Sequence, residues 1–345
     1  MKKLIFLFYI LMVLFKTGNV LSDNNIFNVN NIEINKEISA NKEKLVNQAF
    51  KKGFKELINR LLLEEDYKKI STTNLNQIKR LVSYYQIKNK KKRENDNIRF
   101  NIFFDKDKIH NFFYKKNILY SDIINTDMII FPLLIRDKQY FIYTKNYFYE
   151  NWNKESSKDL IQYTLPTENI ESIQKIKINR ENIHKIDIED FFKEYNLKNM
   201  AFVAININQD NSKIFLNIKT EGKKLSKNLL VTNPGLNQEQ FNNMIIAEIK
   251  NIIRDLIKSQ NLIDVRMPSF LIAEIKLNNK SNLVEFNDRL KKIDLIDNFY
   301  VQELNKDYVL VKIKYLGKIN KIIKRLKDQN IDLIMIKGQW ELNII

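Results

Sequence analysis

Side chains that could do chemistry are few in this sequence and widely separated. Its 345 residues include two histidines and no cysteine, which excludes disulfides, cysteine nucleophiles and thiolate metal sites. His110 and His184 stand far apart, and no zinc-protease, nucleophile-elbow, phosphate-loop or dinucleotide-binding motif occurs in the chain. The sequence therefore predicts no catalytic residue, no metal ligand and no cofactor.

Two groups of carboxylates have simpler explanations than catalysis. Asp105 and Asp107 lie where a helix should begin, and an aspartate there accepts hydrogen bonds from free N–H groups of the first turn. Glu64, Glu65 and Asp66 follow a long predicted helix and are interpreted as a solvated turn. A hydrolase built from scattered carboxylates stays an alternative, because such pairs meet only in the folded protein.

The most basic run is KNKKKREN, residues 88–95. It lies between predicted strands at 81–88 and 98–105, so the simplest interpretation is a solvated hairpin tip whose charge opposes edge-to-edge aggregation. The second interpretation is an electrostatic contact with an anionic lipid or cell-wall polymer. The residues of this candidate contact are Lys88, Lys90, Lys91, Lys92 and Arg93.

A second candidate surface is aromatic. Tyr147, Tyr149 and Trp152 lie close together in the chain. As an exposed patch they would bind a partner protein or a sugar. The alternative is a core anchor, which we favour for Trp152 because large aromatic side chains are mostly buried.

The formal net charge of +17 is compatible with nucleic acid, anionic lipid or an acidic protein as a partner. Lys, Asn and Ile are over-used throughout, whereas there are only 6 Gly and 4 Pro. A/T-rich codon usage produces the same profile without any binding site. Charge alone therefore does not identify the partner.

The N-terminus has the parts of a secretory signal peptide. Two lysines precede an unbroken apolar stretch from Leu4 to Phe15, which is shorter than the roughly 20 residues of a membrane-spanning helix. Val20 and Ser22 suit a cleavage site before Asp23, and no later apolar run is long enough to span. We expect residues 1–22 to be removed and the protein to be periplasmic. The alternative is an inner-membrane anchor formed by residues 4–15.

Hydrophobic periodicity predicts helices and strands in a repeated order. After a strand at 26–35, a helix at 41–63 and the two strands beside the basic run, the chain continues with a helix after Asp105 and an apolar strand at 128–135. The resulting order, β-α-β-β-α-β, is that of a ferredoxin-like domain. The segment 263–345 has the same order and ends in a strand at 331–336.

The predicted fold class is α+β, with two ferredoxin-like modules, 23–136 and 263–345, flanking a middle α/β domain at 137–262. The middle domain contains an antiparallel strand pair, 199–207 with 212–220, and a long amphipathic helix at 237–260.

Several segments, together with the signal peptide and the closing segment, carry a family resemblance. They are NKEKLVNQAFKKGFKELINRLL, RLVSYYQIKNKKK, IRFNIFFDKDKIHNFFYKKNILY, MIIFPLLI and NYFYENWNK. In these the chain resembles an uncharacterised domain-of-unknown-function family of exported proteobacterial proteins. The resemblance implies periplasmic residence and supplies no catalytic residue.

These observations favour a non-enzymatic envelope protein that acts as a binding or assembly module. Its partner would be an envelope protein, or an anionic polymer or lipid of the envelope. One alternative is a periplasmic hydrolase with scattered carboxylates. The other is a membrane-anchored nucleic-acid binder with its body in the cytoplasm. The N-terminal lysines argue against that orientation, because they should themselves stay on the cytoplasmic side. The predicted strands also lack the aromatic and glycine pattern of RNA-binding sheets.

Overall fold

A computed structural model describes residues 25–35, 41–88, 97–123, 126–154, 160–195, 197–276 and 281–344. The predicted signal peptide and the basic run beyond Lys88 lie outside these residues. The chain divides into two compact units. Unit 1 joins Met1–Asp122 to Leu262–Ile345, and unit 2 is Ile123–Asn261.

Helices and strands alternate along most of the described chain. The strands are β1 (Asn28–Asn35), β2 (Val82–Lys88), β3 (Asn97–Phe104), β4 (Tyr120–Ser121), β5 (Thr126–Arg136), β6 (Gln139–Phe141), β7 (Ile161–Thr164), β8 (Met200–Ile207), β9 (Asn211–Thr220), β10 (Lys223–Thr232), β11 (Leu262–Ile263), β12 (Ser269–Lys276), β13 (Ile296–Leu304), β14 (Tyr308–Tyr315), β15 (Ile331–Ile336) and β16 (Gln339–Ile344). The α-helices are α1 (Lys42–Leu61), α2 (Glu64–Ile70), α3 (Leu75–Leu81), α4 (Lys106–Lys116), α5 (Tyr147–Asn151), α6 (Ile170–Ile178), α7 (Ile188–Phe191), α8 (Gln238–Ser259), α9 (Ser281–Lys291) and α10 (Ile319–Asp328), with a 3₁₀ helix at Arg180–Lys185.

The N-terminal part of unit 1 is a three-stranded antiparallel sheet, ordered β1-β3-β2, with α1 packed against it. Asn41 begins α1 by accepting a hydrogen bond from Glu43 N. Gly53 permits close packing because a Cβ atom there would lie 2.7 Å from the Cδ1 atoms of both Ile32 and Ile102. The predicted apolar stripe of α1 is buried, and it includes Leu45, Ala49, Phe50, Phe54, Leu57, Ile58 and Leu61.

The apolar strand predicted to complete this sheet belongs elsewhere. That part of the prediction is wrong: β5 lies in unit 2, where it pairs in parallel with β8 from Ile129↔Met200 to Ile135↔Asn206. The physical reason is the continuous apolar run at 128–134, which is buried on both faces. A strand buried on both faces suits the centre of a sheet that is covered on both sides.

The C-terminal part of unit 1 is a five-stranded sheet, ordered β13-β14-β12-β16-β15. The predicted hairpin is confirmed as β13 and β14. The strand predicted to close the sheet, β15, lies at its edge. Between β12 and β15 lies β16, which runs parallel to β12. Lys337 and Gly338, both with positive φ, form the two-residue turn that returns the chain as β16. The sequence prediction missed β16.

Unit 2 is built around a sheet ordered β10-β9-β8-β5-β6, with β7 also paired to β5. The predicted antiparallel pair is confirmed as β8 and β9, and the long amphipathic helix as α8. One face of the sheet carries α8, which buries Phe241, Ile245, Ile249 and Ile253 in its core. A second core on the other face includes the side chains of α6, the 3₁₀ helix and α7.

The described structure is α+β, as predicted. Its division into units differs from the three domains expected from the sequence, because residues 262–345 cluster with residues 1–122 rather than alone. Within the described residues, we find no helix with the length and apolarity needed to cross a bilayer.

Candidate functional site

The two histidines have different surroundings. His110 is buried in α4, with its Nε2 atom 3.1 Å from Tyr120 Oη and its ring edge-on to Phe27. The pKa of His110 is lowered to about 4, mainly by burial and to a smaller extent by nearby Lys106, with Asp297 opposing the shift. His110 is therefore a neutral structural residue at pH 7. His184 is exposed on the 3₁₀ helix.

The free energy of unfolding should decrease at acid pH because of His110. Its pKa in the folded state lies below the usual 6.5, so the unfolded chain binds the proton first as pH falls. The contribution is fully present above about pH 6.5 and is lost toward pH 4, a change of about 3 kcal/mol. Urea unfolding at several pH values should show this decrease in the natural protein. We expect His110→Gln to show a decrease smaller by that amount, and equal decreases would contradict the assignment.

The clustered carboxylates cap helices or form ion pairs. Asp105 begins α4 and accepts a hydrogen bond from Lys108 N at 3.1 Å, as predicted. Glu64, Glu65 and Asp66 form the first turn of α2 and pair with lysines one turn later, so the predicted turn is helical. Acidic side chains are stabilising at a helix N-terminus. In the described part of the chain, no group of three or more His, Asp or Glu residues could hold a metal ion.

The aromatic cluster lies mainly in the core of unit 2. Trp152 is 0% exposed and packs edge-on against Tyr163, with ring centroids 5.8 Å apart. Tyr147 Oη donates to Asn243 Oδ1, and Tyr149 Oη donates to the Pro166 carbonyl. The structure therefore offers no exposed indole at Trp152, because that ring fills the core.

The basic run contributes one described residue. Lys88 ends β2 and is exposed. Lys90, Lys91, Lys92 and Arg93 lie outside the described residues, so an anionic contact through them stays a prediction. Lys88 borders a cleft of about 820 Å³ on the face of the three-stranded sheet opposite its core.

Strand pairing arranges the cleft in rows. Opposed residues of an antiparallel pair lie on the same face of the sheet. β3 aligns Phe103 with Asn28 on one side and Tyr84 on the other. The next row contains Asn101 and Gln86. A further row contains Glu33, Arg99 and Lys88. The face thus has an aromatic row, an amide row and a charged row.

The aromatic row is a pair of stacked rings, called the platform below, which offers a ligand the outer surface of the stack. The rings of Tyr84 and Phe103 are stacked, with centroids 4.2 Å apart and planes 11° apart. Tyr84 is 53% exposed, although it lies in a regular strand. A ring platform of this kind offers an apolar surface to a ligand that is otherwise polar.

The amide row is shaped by a bulge in β1. The pairing of β1 with β3 shifts between Val29 and Ile32, and Asn31 adopts a positive φ of 59°. The side chain of buried Asn101 holds this bulge by accepting a hydrogen bond from Asn31 N at 3.0 Å. Asn30 and Asn31 are consequently exposed at the cleft.

The charges at the cleft differ in their engagement. Arg99 pairs with Glu33 at 2.7 Å, and Lys106 Nζ donates to the Ile296 carbonyl at 2.8 Å. Asp105 caps α4. Lys88 makes no ion pair or hydrogen bond with any residue that the structure describes. It is the cation at this cleft that is available to a ligand.

Sequence reasoning missed this site. Asparagine is abundant throughout the chain, so Asn28, Asn30 and Asn31 do not stand out from the background. Tyr84 and Gln86 lie two residues apart on a predicted strand, and that alternation was the available signal. Only the pairing of three strands brings these residues onto one face.

A second exposed face belongs to the C-terminal sheet of unit 1. Phe270 and Tyr300 are both about half exposed there, and Lys312 Nζ lies 4.6 Å from the centroid of the Phe270 ring. RNA-binding sheets stack bases on exposed rings. This is the face on which the nucleic-acid alternative would depend.

Comparisons with known proteins assign no family to the chain. No family model matches it, and no curated protein matches it. Among solved structures it is similar to lipoprotein GNA1162 from Neisseria meningitidis, with 10% identity, 38% of this chain and 99% of that chain covered, and a TM-score of 0.24. The LpoB C-terminal domain from Salmonella enterica gives 8% identity, 33% and 88% coverage and a TM-score of 0.20. An uncharacterized protein gives 6% identity, 41% and 94% coverage and a TM-score of 0.19. Similarities at these TM-scores carry no argument about the fold or function of this chain.

Proposed function

We propose that this protein is a non-enzymatic binding module of the cell envelope, and that its cleft binds a glycan polymer bearing carboxylates. The observation that carries the proposal is the exposed Tyr84–Phe103 platform beside a row of amides. The envelope location follows from the predicted signal peptide. The polymer belongs to the class of anionic envelope partners that the sequence indicates.

The chemistry of the cleft fits a sugar chain. A pyranose ring presents a C–H face that packs on an aromatic ring, and hydroxyl groups that both donate and accept hydrogen bonds. Asparagine and glutamine side chains also do both, and Asn30, Asn31 and Gln86 line the cleft. Each such contact is weak, but a polymer holds neighbouring sugars close to the cleft, so several of them can bind the protein at the same time.

Among the described residues that line the cleft, Lys88 is the cation available to a ligand, and it favours a ligand with negative charge. Lys88 lies at the end of the charged row, beyond the paired Glu33 and Arg99. A carboxylate on the glycan would be attracted by this ammonium group. The attraction between exposed charges is screened by salt, so binding should weaken as ionic strength rises.

The cleft supports binding better than hydrolysis. Among its described lining residues, Asp105 is the one carboxylic acid, and its Oδ1 atom caps α4. Most glycosidases need two carboxyl groups that flank the bond to be cleaved. The described cleft offers a platform, amides and a cation in place of such a pair.

Replacing Tyr84 with alanine should weaken glycan binding about ten-fold, because the ligand loses the half-exposed ring on which a sugar would pack. The measurement is cosedimentation of the exported chain with purified cell-wall sacculi over a range of protein concentrations. Tyr114→Ala is the matched control, because Tyr114 is 56% exposed on α4 and does not line the cleft.

Further outcomes decide between the alternatives. Lys88→Ala should weaken binding and reduce its dependence on salt. No binding to sacculi, or equal losses in the Tyr84 and Tyr114 variants, would overturn the proposed function. Tight binding of a single-stranded RNA oligomer that is lost in Phe270→Ala would favour the nucleic-acid alternative instead.

A further inference from the structure

Unit 2 contains an apolar groove of about 530 Å³, separate from the residues of the cleft. Strand pairing defines its floor: Ala204 lies opposite Phe215, and Phe215 lies opposite Asn228. Ile183 and His184 of the 3₁₀ helix also line it, with the His184 ring edge-on to Phe215. Its volume lies within the range of about 300 to 1,000 Å³ that is usual for small-molecule sites.

The groove exists because the helices on this face cover the sheet unevenly. Phe191 of α7 packs against Phe131 and Phe202, with centroids 4.8 and 5.3 Å away, and closes that part of the core. Toward the other end of β10, Leu230 is 64% exposed and lines the groove. An exposed apolar side chain that continues an apolar groove indicates a ligand that is also apolar along its length.

One end of the groove is cationic. Lys213 lies two residues before Phe215 on the same face of β9, and strand pairing places it between Asn206 and Leu230. At the opposite end of β9, Lys219 pairs with Glu189 at 3.0 Å. Lys213 has no such acid: no ion pair or hydrogen bond joins it to a residue within the described ranges. An ammonium group without a counter-charge therefore borders the apolar floor.

We propose that this groove binds an amphipathic carboxylate, a single acyl chain with an ionised head group. The chain would lie over Ala204 and Phe215, against Ile183 and Leu230, and the carboxylate would meet the Lys213 ammonium. Among the described residues that line the groove, Lys213 is the unpaired cation, which matches a head group with one negative charge. Asn206, opposite Lys213 in the sheet, supplies an amide that can donate to the second carboxylate oxygen. The proposal does not depend on glycan binding, because it uses none of the cleft residues.

The test is isothermal titration of the exported chain with dodecanoate, dodecanol and dodecyltrimethylammonium, each below its micelle concentration. Dodecanoate should bind with one site per chain, dodecanol about ten-fold more weakly, and the cationic amphiphile not measurably. Equal affinity for all three would show adsorption to apolar surface and overturn the proposal. Absence of dodecanoate binding would overturn it as well.

Two variants test where the carboxylate and the acyl chain of the ligand bind. Lys213→Ala should weaken dodecanoate binding about ten-fold and leave dodecanol unchanged. Lys227→Ala is the matched control, because Lys227 is exposed on β10 but does not line the groove. Leu230→Ser replaces an exposed side chain, so the fold should be kept, and it should weaken both ligands. A loss in Lys227→Ala equal to that in Lys213→Ala would exclude the proposed head-group contact.

Discussion

Replacing Trp152 with alanine is expected to destabilise unit 2 by about 4 kcal/mol, within the range measured for large aromatic residues truncated in protein cores. Trp152 is fully buried and belongs to the core that α8 covers, together with Phe148 and Phe241. Truncation removes the apolar area of the indole and leaves a cavity that the surrounding side chains fill only in part. Native-state hydrogen exchange of the β8 amides measures this change, because central strands exchange through global opening of their unit.

Ile178→Ala serves as the control for this variant. Ile178 is 82% exposed at the end of α6 in the same unit, so its truncation should change the free energy of opening by less than about 0.5 kcal/mol. A Trp152 variant as stable as the Ile178 variant would contradict the burial of the indole. It would also restore Trp152 as a candidate for an exposed aromatic patch.

Asp122→Ala should destabilise unit 1 by about 1.5 to 3 kcal/mol, the range for hydrogen bonds to charged groups, because the variant loses the contacts of a buried carboxylate while Lys321, 26% exposed, can regain water. Asp122 is buried at the end of β4, and its carboxylate accepts a hydrogen bond from Lys321 Nζ at 2.5 Å. Arg325 Nη2 lies 3.9 Å from the other carboxylate oxygen. Both cations lie on α10, so the contact joins the N-terminal and C-terminal segments of unit 1.

Urea unfolding of Asp122→Ala and of Asp297→Ala tests this prediction. Asp297 pairs with Lys314 at 2.7 Å, but both side chains are about 30% exposed, and pairs in contact with water contribute only about 0 to 1 kcal/mol. We expect a large loss for Asp122 and a small one for Asp297. A loss at Asp122 no larger than at Asp297 would show that this carboxylate is effectively solvated.

Local patterns in the sequence predicted the elements whose cause is local. The apolar stripe of α1 predicts a buried helix face, and Asp105 predicts the start of α4 because its side chain satisfies a free N–H group three residues ahead. The alternation of Phe100, Ile102 and Phe104 likewise identifies the buried face of β3. In each case the residues that interact are a few positions apart, so the sequence alone contains the interaction.

Pairing between distant segments was decided only by the tertiary structure. The apolar run of β5 is compatible with any central strand position, and its register with β8 joins residues about seventy positions apart. β16 enters the C-terminal sheet beside β12 for the same kind of reason. A hydrophobic pattern shows which face a strand buries but not which strand lies beside it.

The candidate sites also depend on this distant pairing. Tyr84 and Phe103 become a platform only when β2 and β3 align, and Asn31 enters the cleft through a bulge held by Asn101. Asp122 meets Lys321 across 199 positions of the chain. The sequence by itself predicted a signal peptide, and it determined the buried faces of the helices and strands whose cause is local, such as α1 and β3. The tertiary structure decided which polar side chains share an exposed surface, because that depends on contacts that no local periodicity encodes.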